Sequence, residues 1–224
     1  RAHHPTAINW ETQIGRIMDD EFYRQSINPA LMGEVYLKKM TLQELIAAEY
    51  LNIGLYFMEL GDYYPAVTYF ERAGSLNPKL PGIYNNIGNA LSGLGSYREA
   101  LDYYNQAIEI DTLDALFYSN KGNAWLNLEG YDSAYYCYRQ SIRLDSTQAD
   151  TYNNLSLVLQ KLFRHDEALE MIDQAIRLHP EIPDYYFNKA AIYYQQGKTR
   201  QGDFCYQQGL RIKKREKAGR IQEE

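Results

Sequence analysis

One residue type returning at a fixed interval constrains this chain more than anything else in it. Asn52, Asn86, Asn120, Asn154 and Asn188 stand 34 residues apart, and two positions before each stands Tyr50, Tyr84, Tyr118, Tyr152 or Tyr186. A constant period of that length means one supersecondary unit repeated, each copy burying its apolar face against its neighbours and not in a single central globule. The units run over 47–80, 81–114, 115–148, 149–182 and 183–216 without insertion. Each has room for two helices of about 13 residues and the turns between them.

The punctuation agrees with two helices per unit. Gly61, Gly95, Gly130 and Gly197 fall at or near the turn between the helices. Pro81 and Pro183 open their units, where a first-turn proline loses no helical hydrogen bond. Thr41 with Glu44, and Ser96 with Glu99, have the spacing of a capping box, in which hydroxyl and carboxylate each satisfy an orphan backbone N–H. The expectation is an all-α repeat domain over 41–216, preceded by a segment 1–40 outside the period and followed by a charged helix end, 217–224.

This pattern resembles the tetratricopeptide repeat family. Its eighth position carries Gly54, Gly88, Gly122, Ser156 and Ala190, and its twentieth Ala66, Ala100, Ala134, Ala168 and Gly202. The aromatic slot at position 24 holds Phe70, Tyr104, Tyr138, Ile172 and Tyr206; position 27 holds Ala73, Ala107, Ser141, Ala175 and Gly209. Pro78 and Pro180 take the family's closing proline slot, which Thr112, Ser146 and Lys214 fill elsewhere. The resemblance implies a right-handed superhelical solenoid of five helix-turn-helix repeats. The last unit departs most: Gly202 and Gly209 are expected to weaken its second helix by about 1 kcal/mol each, and polar Gln196 and Asp203 suit a unit with one solvated side.

Composition removes several function classes. A formal charge of -6 argues against nucleic acid, where a basic face comes first. No run of about 18 apolar residues is present to span a membrane. The chain begins at Arg1 without methionine, so a fragment or processed chain is expected and the compartment is not legible. Cys137 and Cys205 share a repeat position two units apart, roughly 20 Å by helix spacing, too far for a disulfide. No nucleophile–base pair, phosphate-cradling loop or metal spacing stands out. His165 takes a slot that is tyrosine in three other units, His179 precedes a proline, and His3-His4 alone make a poor ligand set. No catalysis, cofactor or metal is expected.

In the family, positions 2, 5, 6, 9, 12 and 13 of each first helix line the concave face. Here those positions supply Asn85, Asn86, Asn89, Asn120, Asn123, Asn127, Asn153, Asn154 and Asn188, with few charges beyond Asp150, Lys161 and Asp184. A carboxamide can donate to a backbone C=O and accept from an N–H whatever the side chain there. Helices about 8–10 Å apart also match every third residue of a chain rising about 3.3 Å per residue. Tetratricopeptide arrays of the O-linked N-acetylglucosamine transferase type hold substrate peptides through such an asparagine ladder, and the resemblance implies the same use here. The charged clamp of other members is not implied, because Leu51 and Leu55 replace its lysine and asparagine in the first unit.

Leu51, Leu55 and Met58 make the first unit's inner face apolar, and Asn52 among them is expected to be covered, leaving four rungs. Ile14, Ile17, Met18 and Phe22 predict an amphipathic helix over about 12–25 that packs there. Asn28-Pro29 and Gly33 bound a short helix. Asn9 to Thr12, Tyr23, Tyr36-Leu37 and the run from Thr41 to Ala47 resemble the junction of bacterial proteins that join a transglutaminase-like hydrolase to tetratricopeptide repeats. The basic run Arg211, Lys213, Lys214, Arg215, Lys217 and Arg220 reads as a solvated helix end. The functional expectation is a scaffold binding an extended peptide of unknown identity, with two alternatives. One is a regulatory or substrate-presenting part of a cysteine hydrolase; the other is a homo-oligomeric assembly module.

Overall fold

A computed structural model describes residues 41–220, with side chains to residue 215. Ten helices occur among the described residues: α1 Leu42–Glu59, α2 Tyr63–Leu76, α3 Pro81–Gly93, α4 Tyr97–Ile110, α5 Ala115–Asn127, α6 Tyr131–Leu144, α7 Ala149–Lys161, α8 His165–Leu178, α9 Pro183–Gln195 and α10 Thr199–Arg220. The described residues from Ile46 onward belong to one compact unit. The expectations placed on residues 1–40, on the packing of that segment, and on side chains beyond residue 215 lie outside the described residues.

The starts of α3, α5, α7 and α9 repeat the 34-residue interval at Pro81, Ala115, Ala149 and Pro183. Each of these first helices ends in a Schellman closure. In unit two, Gly95 N donates to Ser92 O and Ser96 N to Leu91 O; the same pair of bonds recurs in every unit. That closure needs one left-handed residue, supplied by Gly61, Gly95 and Gly197 at φ between 72 and 78°. Glu129 and Phe163 take the same place at φ 59°, so in the third unit the left-handed residue is Glu129 and not the neighbouring Gly130.

The caps are mixed. Thr41 N donates to Glu44 Oε2 at 2.7 Å and Glu44 N to Thr41 Oγ1 at 3.2 Å, the reciprocal box expected there. Ser96 makes no side-chain cap bond. Its ψ of 55° lies outside the extended region that aims an N-cap oxygen at the first-turn amides. Asp114 caps α5 instead, accepting from Leu116 N at 2.8 Å.

Packing within a unit follows the small and aromatic positions. Phe70, Tyr104, Tyr138 and Ile172 are at most 1% exposed, each lying between its own first helix and the next. Close approach is what the eighth position allows: a Cβ on Gly88 would lie 2.5 Å from the Tyr104 ring. Burying each such side chain contributes about 1.5–3 kcal/mol. In the fifth unit Gly202 and Gly209 are buried against Tyr194 and Phe187, so their cost in helix propensity accompanies a packing role. Tyr206, in the aromatic slot of that unit, is 44% exposed.

Each second helix packs on the following first helix, and the first helices α3, α5, α7 and α9 also touch one another in sequence. Among the described residues no second helix meets another second helix comparably. Closer spacing on one side of a stack places that side inside its curvature. The first helices therefore form the inner face.

Candidate peptide groove

The asparagines singled out in the sequence stand on that inner row of helices, and most of them are joined to one another. Asn120 Nδ2 donates to Asn85 Oδ1 at 2.9 Å, linking the third unit to the second. Asn154 Nδ2 donates to Asn123 Oδ1 at 3.0 Å, linking the fourth to the third. Asn188 Nδ2 donates to Asn153 Oδ1 at 2.8 Å, linking the fifth to the fourth. Asn153 Nδ2 in turn reaches Asn154 Oδ1 at 3.2 Å, so four carboxamides run continuously from α9 through α7 to α5.

The partner of each link follows from the residues available. Position 5 of the preceding unit is Asn85 or Asn153 in two cases and accepts the bond. In the third unit position 5 is Ser119, whose hydroxyl donates to Leu116 O, and Asn123 four residues on accepts in its place. For Asn86 the preceding unit offers Leu51 and Leu55 at those positions. Neither can accept, and the Asn86 side chain has no hydrogen bond among the described residues.

Tyrosines beneath the row hold one further asparagine, Asn89, and add a second donor to Asn123. Tyr104 OH donates to Asn89 Oδ1 at 2.8 Å, with the Ser92 hydroxyl 3.1 Å from it, and Tyr138 OH donates to Asn123 Oδ1 at 2.7 Å. Burial pushes the Tyr104 phenol up to about 12, and it raises Tyr138 in the same direction. Both therefore remain protonated donors. Sequence reading missed these two, though a signal was present. Position 9 is asparagine where position 24 is a buried tyrosine, in units two and three, and leucine where position 24 is Phe70 or Ile172.

The nine predicted residues thus divide. Asn85 is buried at 9% exposure, Asn127 donates to Asn123 O, and the others are largely half-buried. Asn52, expected to be covered, is exposed. Of the acidic groups on this row, Asp150 accepts from Tyr185 OH at 2.6 Å, and burial of that tyrosine raises its pKa. Leu55 and Leu116 are 41% and 52% exposed and supply apolar surface beside the carboxamides. Cys137 and Cys205 are free and buried. Among the described residues there is no group of side chains able to hold a metal, and no helix long and apolar enough to cross a membrane.

Stacked helical hairpins whose first helices form the inner row define a helical-repeat scaffold. Family models described as tetratricopeptide repeat match residues 50–80, 81–111, 148–180 and 183–216. The chain belongs to the tetratricopeptide repeat family. Among solved structures it is similar to MamA of Desulfovibrio magneticus, at 18% identity over 78% of this chain and 97% of that one, with a TM-score of 0.71. It is also similar to Pseudomonas aeruginosa PilF, at 19% identity over 75% and 78% of the two chains, TM-score 0.67. A third is YrrB, described as a tetratricopeptide protein with an unusual peptide-binding site, at 17% identity over 74% and 86%, TM-score 0.62. No curated protein matches the sequence. Identities this low establish the shared fold alone; membership of the tetratricopeptide repeat family is what supports a protein–protein interaction scaffold.

Proposed function

We propose that this chain is a non-catalytic scaffold that holds an extended peptide segment along the asparagines of its inner face. The observation that carries the reading is the state of the carboxamides at position 6. Asn120, Asn154 and Asn188 each commit one N–H to the preceding repeat, which leaves a second N–H and lone-pair capacity on Oδ1. Asn86 commits nothing. A regular series of fixed, half-satisfied carboxamides suits a backbone, which offers a C=O and an N–H at every residue.

Hydrogen bonds contribute about 1 kcal/mol net each, so a few rungs alone give weak affinity. Ligand side chains against Leu55 and Leu116 would add apolar burial. The peptide-binding site of YrrB, a protein of the same fold, supports the reading by analogy.

Selection from a displayed library of random peptides tests it, followed by titration of the selected peptide and of a copy N-methylated along its backbone. Capture that falls on methylation and on Asn86→Ala supports the groove. Capture indifferent to both would overturn it.

A further inference from the structure

The two ends of the stack of described helices keep the apolar residues of an interior boundary. Position 3 of a first helix is buried in units two to five, at Ile83, Phe117, Thr151 and Tyr185, and position 10 likewise at Ala90, Ala124, Val158 and Ile192. In α1 the same positions carry Glu49, which is exposed, and Tyr56, 53% exposed, with Leu60 exposed one turn on. At the other end position 24, sealed in units one to four, is the exposed Tyr206, and Leu210 at position 28 is exposed beside it. Position 28 is where the following unit lands: a Cβ on Gly74 would lie 3.5 Å from Ile83 Cγ2. A terminal repeat that meets only water needs a polar outer face. Both ends here present aromatic and leucine side chains instead.

We propose that copies of this chain associate head to tail, the outer face of α1 in one copy seated on the outer face of α10 in the next. The boundary between repeats is thereby continued from one molecule into another. Charge selects this pairing. Residues 46–70 hold Glu49, Glu59 and Asp62 and no lysine or arginine, whereas residues 197–215 hold six basic residues against the single acidic Asp203. Unlike ends attract, while a two-fold pair of like ends sets acid against acid or base against base. Glu49 stands at position 3, which in the interior lies over position 28. On the neighbouring copy that position is Leu210, and Lys213 and Lys214 follow it on the same face of the helix.

Helix lengths match as well. First helices α3, α5, α7 and α9 have 13 residues and α1 has 18; second helices α2, α4, α6 and α8 have 14 and α10 has 22. α1 stops at the same repeat position as the other first helices, and α10 starts at the same position as the other second helices, so α1 is longer at its start and α10 at its end. Those are the two helix ends that adjoin where one repeat passes into the next. Both overhangs therefore fall on one edge of the join and lengthen it. A contact between unlike faces does not complete itself in a pair; it continues into a row of copies, or a ring where the rotation closes.

Two variants of the 224-residue chain test this by sedimentation velocity. Tyr56→Glu with Leu60→Glu spoils the α1 face, and Tyr206→Glu with Leu210→Glu spoils the α10 face. Where the second variant unfolds early, Lys213→Glu with Lys214→Glu, both exposed, replaces it. The unaltered chain is expected to grow beyond dimers as its concentration rises, and each variant alone to remain monomeric. An equimolar mixture of the two variants is expected to give a dimer and nothing larger, since one intact face of each kind remains. An unaltered chain that stays monomeric into the millimolar range overturns the proposal, and so does a chain whose own segments cover these faces, which reads as the same monomer. Assembly by either variant alone, or a mixture that stays monomeric, overturns it too. None of these substitutions touches the inner asparagines, so peptide capture by the groove is judged separately.

Discussion

The Asn188 carboxamide donates to Oδ1 of Asn153 across 2.8 Å and ties the fifth repeat to the fourth through a bond that neither unit could make alone. In a linear array, stability is a sum of unit terms and nearest-neighbour terms, and this bond belongs to the second kind. Asn153→Ala and Asn188→Ala should therefore be non-additive, with a coupling of about 0.5–1.5 kcal/mol in urea unfolding. Strict additivity would mean that the bond contributes nothing to the interface.

Asn86 and Asn120 occupy the same repeat position but differ in partners, and truncation should separate them. Asn120→Ala leaves Asn85 Oδ1, on a residue only 9% exposed, without its donor, at a cost of about 1–3 kcal/mol. Asn86→Ala removes no bond and should shift stability by no more than about 0.5 kcal/mol. Asn86 is thus the position at which loss of peptide capture can be read without loss of fold. Equal destabilisation by the two variants would contradict the assignment.

Phe163 is 82% exposed and sits at φ 59°, where three other units have glycine. A non-glycine residue in the left-handed region costs about 1–2 kcal/mol, and glycine's extra chain entropy returns part of that on substitution. Phe163→Gly should raise the unfolding free energy by about 0.5–1 kcal/mol. A fall in stability would show that the exposed ring contributes packing that offsets the strain.

Two glycines of α3 should respond in opposite ways to one added methyl group. At Gly88 the new Cβ lies 2.5 Å from Tyr104 Cε1, and overpacking at such a site costs about 1–3 kcal/mol or more. At Gly82 the space is open, so Gly82→Ala should be neutral or stabilising by up to about 1 kcal/mol through helix propensity. Thermal unfolding of the pair suffices, and destabilisation by Gly82→Ala alone would reverse the reading.

Alkaline pH should unfold this protein by way of its buried tyrosines. Tyr104 titrates near 10.0 when unfolded and is pushed up to about 12 in the fold by burial. Above pH 10 the unfolded chain releases a proton that the folded one retains, so the folded state binds more protons and stability falls as pH rises. The contribution is whole below pH 10 and is lost by pH 12, about 2–3 kcal/mol for a two-unit difference. Denaturant midpoints measured from about pH 8 to 12 should fall less steeply in Tyr104→Phe. An unchanged slope would remove Tyr104 as a cause.

The repeat architecture was legible because the period is carried by residues whose roles are local. Small residues at position 8 admit the ring at position 24, and Pro81 and Pro183 mark first turns whatever surrounds them. Gly130 stands in its turn as expected, whereas Ser96 misled, because a cap is defined by backbone angles, which a residue's identity only biases. The Schellman closure in the third unit placed Glu129 in the left-handed position and moved the glycine one residue along.

The sequence by itself determined how often the structure repeats, which helix of each pair carries the asparagines, and that the row is poor in charge. These follow from spacing along the chain. Only the tertiary structure decided what the asparagines do with their hydrogen-bonding groups, because each link joins residues about one repeat apart across a packed interface. Asn86, Asn120, Asn154 and Asn188 read as equivalent in sequence. The preceding repeat makes them unequal, offering an acceptor to three of them and leucine to the first.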